Sequence, residues 1–194
     1  MVVLLLTTTL LLRTHPGDVS TVVAWASTNP HNLAHHPVAA ILVSMFVVTG
    51  SLLPELLVVA VSFAVLERAV GAFRTAIIAL TGQVVATLLT EYGADLGGRL
   101  HLLAASSAER ADVGVSYVMY AVLAASVLLL TGRARLVGLL IVGIGVLVPL
   151  LIAPGMTPTG HVLSVAVGAT TMALIQRRDR RHRAKQAAAG TTVE

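Results

Sequence analysis

Apolar residues run through this chain in long stretches separated by short polar segments. Leu52 to Leu66 ends at Glu67-Arg68, and a second stretch from Phe73 or Arg74 to Thr90 ends in an acidic segment. Val113 to Leu130 precedes Gly132-Arg133-Ala134-Arg135, Leu136 to Ala153 is almost wholly apolar before Pro154-Gly155, and Gly160 to Ile175 runs into a basic tail. Each approaches the roughly 20 residues that a helix needs to cross about 30 Å of hydrocarbon. Met1 to Leu12 is also apolar, but Thr7, Thr8 and Thr9 interrupt it and Arg13 ends it. A helix of that length reaches only about 17 Å, which predicts a shortened first span or the remainder of one beginning upstream. No basic residue precedes it and no clear cleavage pattern follows, so it does not read as a signal peptide.

Between these stretches, Thr14 to His36 is polar and punctuated by His15-Pro16-Gly17-Asp18, Asn29-Pro30 and His36-Pro37, which predicts a loop. Ala39 to Val48 is apolar but stops near Gly50, a length suited to an interfacial or re-entrant segment. The pattern predicts an all-α, polytopic membrane helix bundle of about six spans, the first short or truncated. Residues 1–176 form one membrane domain and residues 177–194 a basic tail.

Composition agrees. Of the 194 residues 56% are hydrophobic and only 11% charged, and mean hydropathy is +0.89, too little polar material to coat a soluble domain. The net charge of +4 is concentrated from Arg177 to Lys185, beside an apolar segment. That placement favours an anchor on anionic lipid over nucleic-acid binding. The chain has no cysteine, which removes thiol catalysis, thiolate metal sites and disulfides. Under alternating spans, Arg68 and Arg74, Arg133 and Arg135, and the tail all fall on one side. The positive-inside rule makes that side cytoplasmic, at the cell membrane. The opposite side then carries Glu91, Asp95, Glu109 and Asp112.

Polar groups inside such a chain are the candidates for chemistry. Ser116 lies a few residues into the fourth span and His161 just inside the sixth, both entering from the non-cytoplasmic face. At matched depth, His161 can remove the Ser116 proton as the oxygen attacks a carbonyl. The alternative is that both side chains make only packing hydrogen bonds. Asp112, immediately before the fourth span, suits a helix cap. Glu55 is either an embedded carboxylate, expensive unless paired, or an interfacial one. Glu67, Arg68 and Arg74 suit a charged cluster at the short cytoplasmic turn. Trp25, Tyr92, Tyr117 and Tyr120 suit interfacial or pocket-lining positions, with Tyr117 a wall beside Ser116. Gly71, Gly82, Gly138, Gly143, Gly145 and Gly168 suit close helix packing. His31, His35 and His36 fit no firm metal-ligand spacing, and neither a metal nor a cofactor is implied.

The motifs at these positions resemble the rhomboid superfamily of intramembrane serine proteases, and most closely the bacterial rhomboid-like integral membrane proteins. Leu66-Glu67-Arg68-Ala69-Val70-Gly71 is similar to the acidic-basic-glycine signature ending that family's second span. Gly114-Val115-Ser116 is similar to the start of its GxSG nucleophile motif, and Gly160-His161 followed by Gly168 to its sixth span. Asp112-Val113-Gly114-Val115-Ser116-Tyr117 and the early Ser27-Thr28-Asn29 resemble the rhomboid-like group in particular. The resemblance implies Ser116 and His161 as a catalytic dyad, with Ser51, Gly114 and Tyr117 as oxyanion or pocket candidates. It makes Glu67, Arg68, Gly71 and Asp112 structural. Two departures stand out: Tyr117 replaces the glycine after the serine, and Ser51 to Glu55 lacks the histidine and asparagine with which active rhomboids hold the oxyanion.

Two functions follow from that resemblance. One is a serine-type endopeptidase acting on membrane-embedded protein segments; the other is an inactive relative that binds transmembrane helices. Their partners would be transmembrane protein segments, with anionic lipids at the basic tail. A transporter built around Glu55 is weaker, because no paired broken helices or inverted repeat is visible.

Overall fold

The computed structural model describes residues 7–8, 16–48, 51–100 and 113–190. Eight helices are formed among them: α1 Pro16–Ala26, α2 Pro30–His35, α3 Pro37–Ser44, α4 Leu52–Val70, α5 Ala72–Arg99, α6 Ser116–Val127, α7 Gly132–Ile152 and α8 Met156–Gly190. The segment expected as a loop after Thr14 is therefore mostly helical. Its prolines begin helices, because a first-turn residue needs no N–H and proline's fixed φ already suits the helix. Pro30 and Pro37 occupy the opening turns of α2 and α3. Asn29 caps α2 by accepting from the Asn32 N–H at 2.9 Å. The Asn32 amide in turn donates to the carbonyls of Ala24, Trp25 and Ser27 at 2.8, 3.2 and 2.8 Å. One buried side chain thus holds the end of α1 against α2.

Only Gly71 separates α4 from α5, and it turns the chain at φ +87°, a region that L side chains rarely adopt. Its N–H donates to the Glu67 carbonyl at 3.0 Å, closing the end of α4. That conformational demand gives the glycine of the Glu67–Gly71 signature its structural role. Glu67 and Arg68 themselves are exposed and enter no ion pair among the described residues. Arg74 turns away from them to Asp179 of α8, its two guanidinium nitrogens 2.6 and 2.8 Å from the two carboxylate oxygens.

The core forms where α4, α5, α6 and α8 meet. Leu66, Ile78, Val118, Val122 and Met172 are fully enclosed there. Small residues permit the approach: a Cβ on Gly82 would strike the Ala121 Cβ, and one on Gly168 would strike the Ala121 backbone. Gly138 meets Val127 in the same way. Gly143, expected to pack, faces open space.

Arg74 with Asp179 and Thr81 near Thr171 make α5 and α8 antiparallel. On α6 and α8, Tyr117 meets Gly160 and Ala121 meets Gly168, so these two helices run in the same direction. Helix α7 lies at the edge. Its Val142 and Val146 are buried, while Leu139, Leu140, Ile141, Ile144, Leu147 and Leu151 are exposed. Such a surface suits acyl chains, which solvate apolar side chains as well as a protein core does.

Ala72–Arg99, Gly132–Ile152 and the helix from Met156 are long and apolar enough to cross a membrane, and Ser116–Val127 is a shorter apolar helix. The chain is a polytopic membrane helix bundle. Two elements run further than expected. Helix α5 continues past Thr90, carrying Glu91 into the buried interior instead of an acidic loop. Helix α8 continues through the basic tail to Gly190. Asp112 lies outside the described residues.

Candidate active site

Ser116 is the first residue of α6 and His161 lies in the second turn of α8. Because the two helices are parallel and Tyr117 packs over Gly160, both residues sit at the same end of the bundle, opposite Gly71 and the Arg74–Asp179 pair. Ser116 and Tyr120 are four residues apart and therefore share a helix face. The Tyr120 ring lies against the His161 imidazole with centroids 4.5 Å apart and planes inclined by 37°. Tyr117 meets the same imidazole edge to face at 5.8 Å and 83°. Helix α6 thus presents Tyr117 and Tyr120 toward one histidine. Among the described residues no hydrogen bond joins the Ser116 hydroxyl to the imidazole.

Tyr120 is anchored at its other end, where its hydroxyl donates to the Gly145 carbonyl of α7 at 3.1 Å. Glu55 is half-buried in the first turn of α4. A first-turn carboxylate is favourably placed at the positive end of its helix.

The chain entering α6 is pinned by its backbone. The Gly114 N–H donates to the Ser44 carbonyl at 3.2 Å and the Val115 N–H to the Val47 carbonyl at 3.1 Å. Gly114 holds φ +151°, which accounts for a glycine two residues before the serine. These two amides are committed to the scaffold. The amide of Ser116 differs, because the opening N–H groups of a helix have no intrahelical acceptor and point outward with the positive end of the dipole.

On the side of Ser116 facing α3 and α5, Thr28, Ser44, Gln83, Gly114, Ser116 and Tyr117 line a polar cavity about the size of one water molecule. Gln83 is only 2% exposed. Its side-chain nitrogen donates to the Ser44 hydroxyl at 3.2 Å, and its side-chain oxygen has no hydrogen-bond partner. Ser44 also donates to the Ile41 carbonyl at 3.0 Å. Ser51, the expected oxyanion candidate, instead sits exposed at the start of α4 and does not line this cavity. Gly114 and Tyr117 do line it.

Gln83 and Ser44 were not singled out by the sequence patterns, and Thr28 entered only through the Ser27-Thr28-Asn29 resemblance, with no role at the site. The available signal was a side-chain amide in the middle of an apolar span, a group that must find partners where water is scarce. The histidines of the early segment have local roles: His35 Nδ1 lies 2.8 Å from the His31 carbonyl, and His36 stacks on Trp25 at 5.3 Å.

A family model described as rhomboid-like protein matches residues 1–181. No curated protein and no solved structure matches the chain.

Proposed function

Because the chain belongs to the rhomboid-like protein family, we propose that it is an intramembrane serine endopeptidase that cleaves membrane-embedded protein segments with Ser116 and His161. The observation carrying this reading is the contact of His161 with Tyr120, one turn beyond Ser116 on the same face of α6. It brings imidazole and hydroxyl to one end of two parallel helices. Hydrogen bonds of a catalytic base commonly tighten only once substrate is in place.

In this mechanism His161 takes the Ser116 proton while Oγ attacks the scissile carbonyl, forming a C–O bond and an oxyanion. The imidazolium then gives its proton to the departing amine as the C–N bond breaks, leaving an acyl ester on Ser116. Water attacks that ester with His161 again as base, releasing the acid and restoring the serine. The Ser116 N–H, at the positive end of α6, is a backbone donor to the oxyanion. Tyr120 packs against the imidazole.

The same reading assigns about six spans, with Arg68, Arg133 and the tail from Arg177 on the cytoplasmic side against anionic lipid, and Ser116 toward the outer surface. Residues 1–176 are the membrane domain and 177–194 the tail.

A second reading, an inactive relative that binds transmembrane helices, is favoured by Tyr117. Its ring fills the space over Gly160 where a residue without a side chain would leave room beside the serine. Labelling with a fluorophosphonate separates the two. Native protein in membranes should be labelled, and Ser116→Ala and His161→Ala should not. Equal labelling of all three, or of none, overturns the peptidase reading.

A further inference from the structure

The oxyanion of an acyl transfer needs donors besides one backbone amide, and α4 supplies none at this cavity: Ser51 is exposed at the start of its helix, away from it. The cavity beside Ser116 has the volume of a single oxygen with its hydrogens. Gln83 reaches it from α5, a different helix from the one on which the sequence motifs place such donors. Resting on the peptidase reading, we propose that Gln83 is the side-chain oxyanion donor of this site, with the water-sized cavity as its oxyanion pocket.

Three observations carry the assignment. First, Gln83 is buried among helices with its side-chain oxygen unpartnered, so the amide can turn over without breaking a hydrogen bond at that oxygen. Second, the cavity it lines is shared with Ser116 and Gly114, so an oxygen placed there lies next to the nucleophile. Third, Ser44 can serve either face of the amide. It now accepts from the Gln83 nitrogen at 3.2 Å. A half-turn of the amide makes the Ser44 hydroxyl the donor to the Gln83 oxygen and turns the NH₂ group into the cavity.

The half-turn exchanges the Ser44 donation to the Ile41 carbonyl for one to Gln83. That carbonyl belongs to helix α3 and lies in its last turn. A developing negative charge in the cavity repels the amide oxygen and selects the NH₂ face. The donor is thus recruited by the oxyanion and contributes more to the transition state than to the bound substrate, which is the condition for raising kcat. No proton is transferred by Gln83; it only donates a hydrogen bond.

The decisive measurement compares Gln83→Met and Gln83→Leu with native protein. Met keeps the length of the side chain but carries no hydrogen-bond donor; Leu keeps the bulk alone. Loss of one oxyanion donor lowers kcat about 10²-fold or more, and both variants should show this with KM little changed. A peptide aldehyde, whose adduct with Ser116 carries the oxyanion, should bind correspondingly more weakly to both, while the matching peptide alcohol binds all three proteins equally. If the aldehyde and alcohol lose affinity together, Gln83 is only a packing residue and the inference falls. If native protein turns over substrate and both variants match it, the inference falls and the peptidase reading stands. If native protein neither turns over substrate nor takes the fluorophosphonate, the peptidase reading itself has failed.

Discussion

Tyr120 lies against His161 with ring centroids 4.5 Å apart and planes inclined by 37°, while its hydroxyl is tied to Gly145 on the neighbouring helix at 3.1 Å. One side chain thus couples the candidate base on α8 to the lipid-facing helix α7. Its ring and its hydroxyl do different things, and substitutions can separate them.

Tyr120→Ala removes the surface on which the imidazole rests. Aromatic pairs contribute about 0.5–1.5 kcal/mol beyond burial, so fluorophosphonate labelling of Ser116 should slow several-fold. Tyr120→Phe keeps the ring and should label at nearly the native rate, losing only the tie to α7, readable as faster hydrogen exchange in α7.

Gly168→Val and Gly82→Val place side-chain atoms where Ala121 already stands. Overpacking of this kind costs about 1–3 kcal/mol, and more where the obstacle is backbone, as at Gly168. Thermal unfolding in detergent should show both variants destabilised, Gly168→Val the more. Gly143→Ala, which meets nothing nearby, should leave the midpoint unchanged.

Asn32 satisfies three carbonyls at the junction of α1 and α2. Asn32→Ala strands them at a cost of about 1–3 kcal/mol. Asn32→Asp should be worse, since a carboxylate only accepts hydrogen bonds and would face three other acceptors. Limited proteolysis between residues 16 and 48 should rank native, Ala and Asp forms in that order of increasing cleavage.

Arg74 and Asp179 join the start of α5 to the beginning of the basic extension of α8 through two hydrogen bonds. Both side chains are partly exposed, at 40% and 33%, so the pair is open to screening by salt. Arg74→Asp alone should lower the unfolding midpoint modestly at low ionic strength, and Arg74→Asp with Asp179→Arg should recover it. High salt should erase the difference.

Much of the architecture follows from chain order. The apolar stretches become helices because backbone groups in hydrocarbon have no water to bond and must bond one another. Gly71 could be read as a helix end because a turn of one residue demands positive φ, and Ser116 and His161 as residues of one end of the bundle because both begin spans that start from the same side. The prolines after Thr14 open helices where the pattern predicts a loop, since sequence shows proline but not whether it opens or interrupts a helix. Tertiary structure alone decided which helix faces meet. In a soluble helix the buried face is the apolar one, but in a membrane the lipid-facing and the packed faces are both apolar, so the periodic signal is weak. Hence the meeting of Gly82, Ala121 and Gly168, the reach of Arg74 to Asp179, and the placement of Gln83 beside Ser116 rest on contacts between residues far apart in the chain. Helical periodicity along any one segment does not specify them.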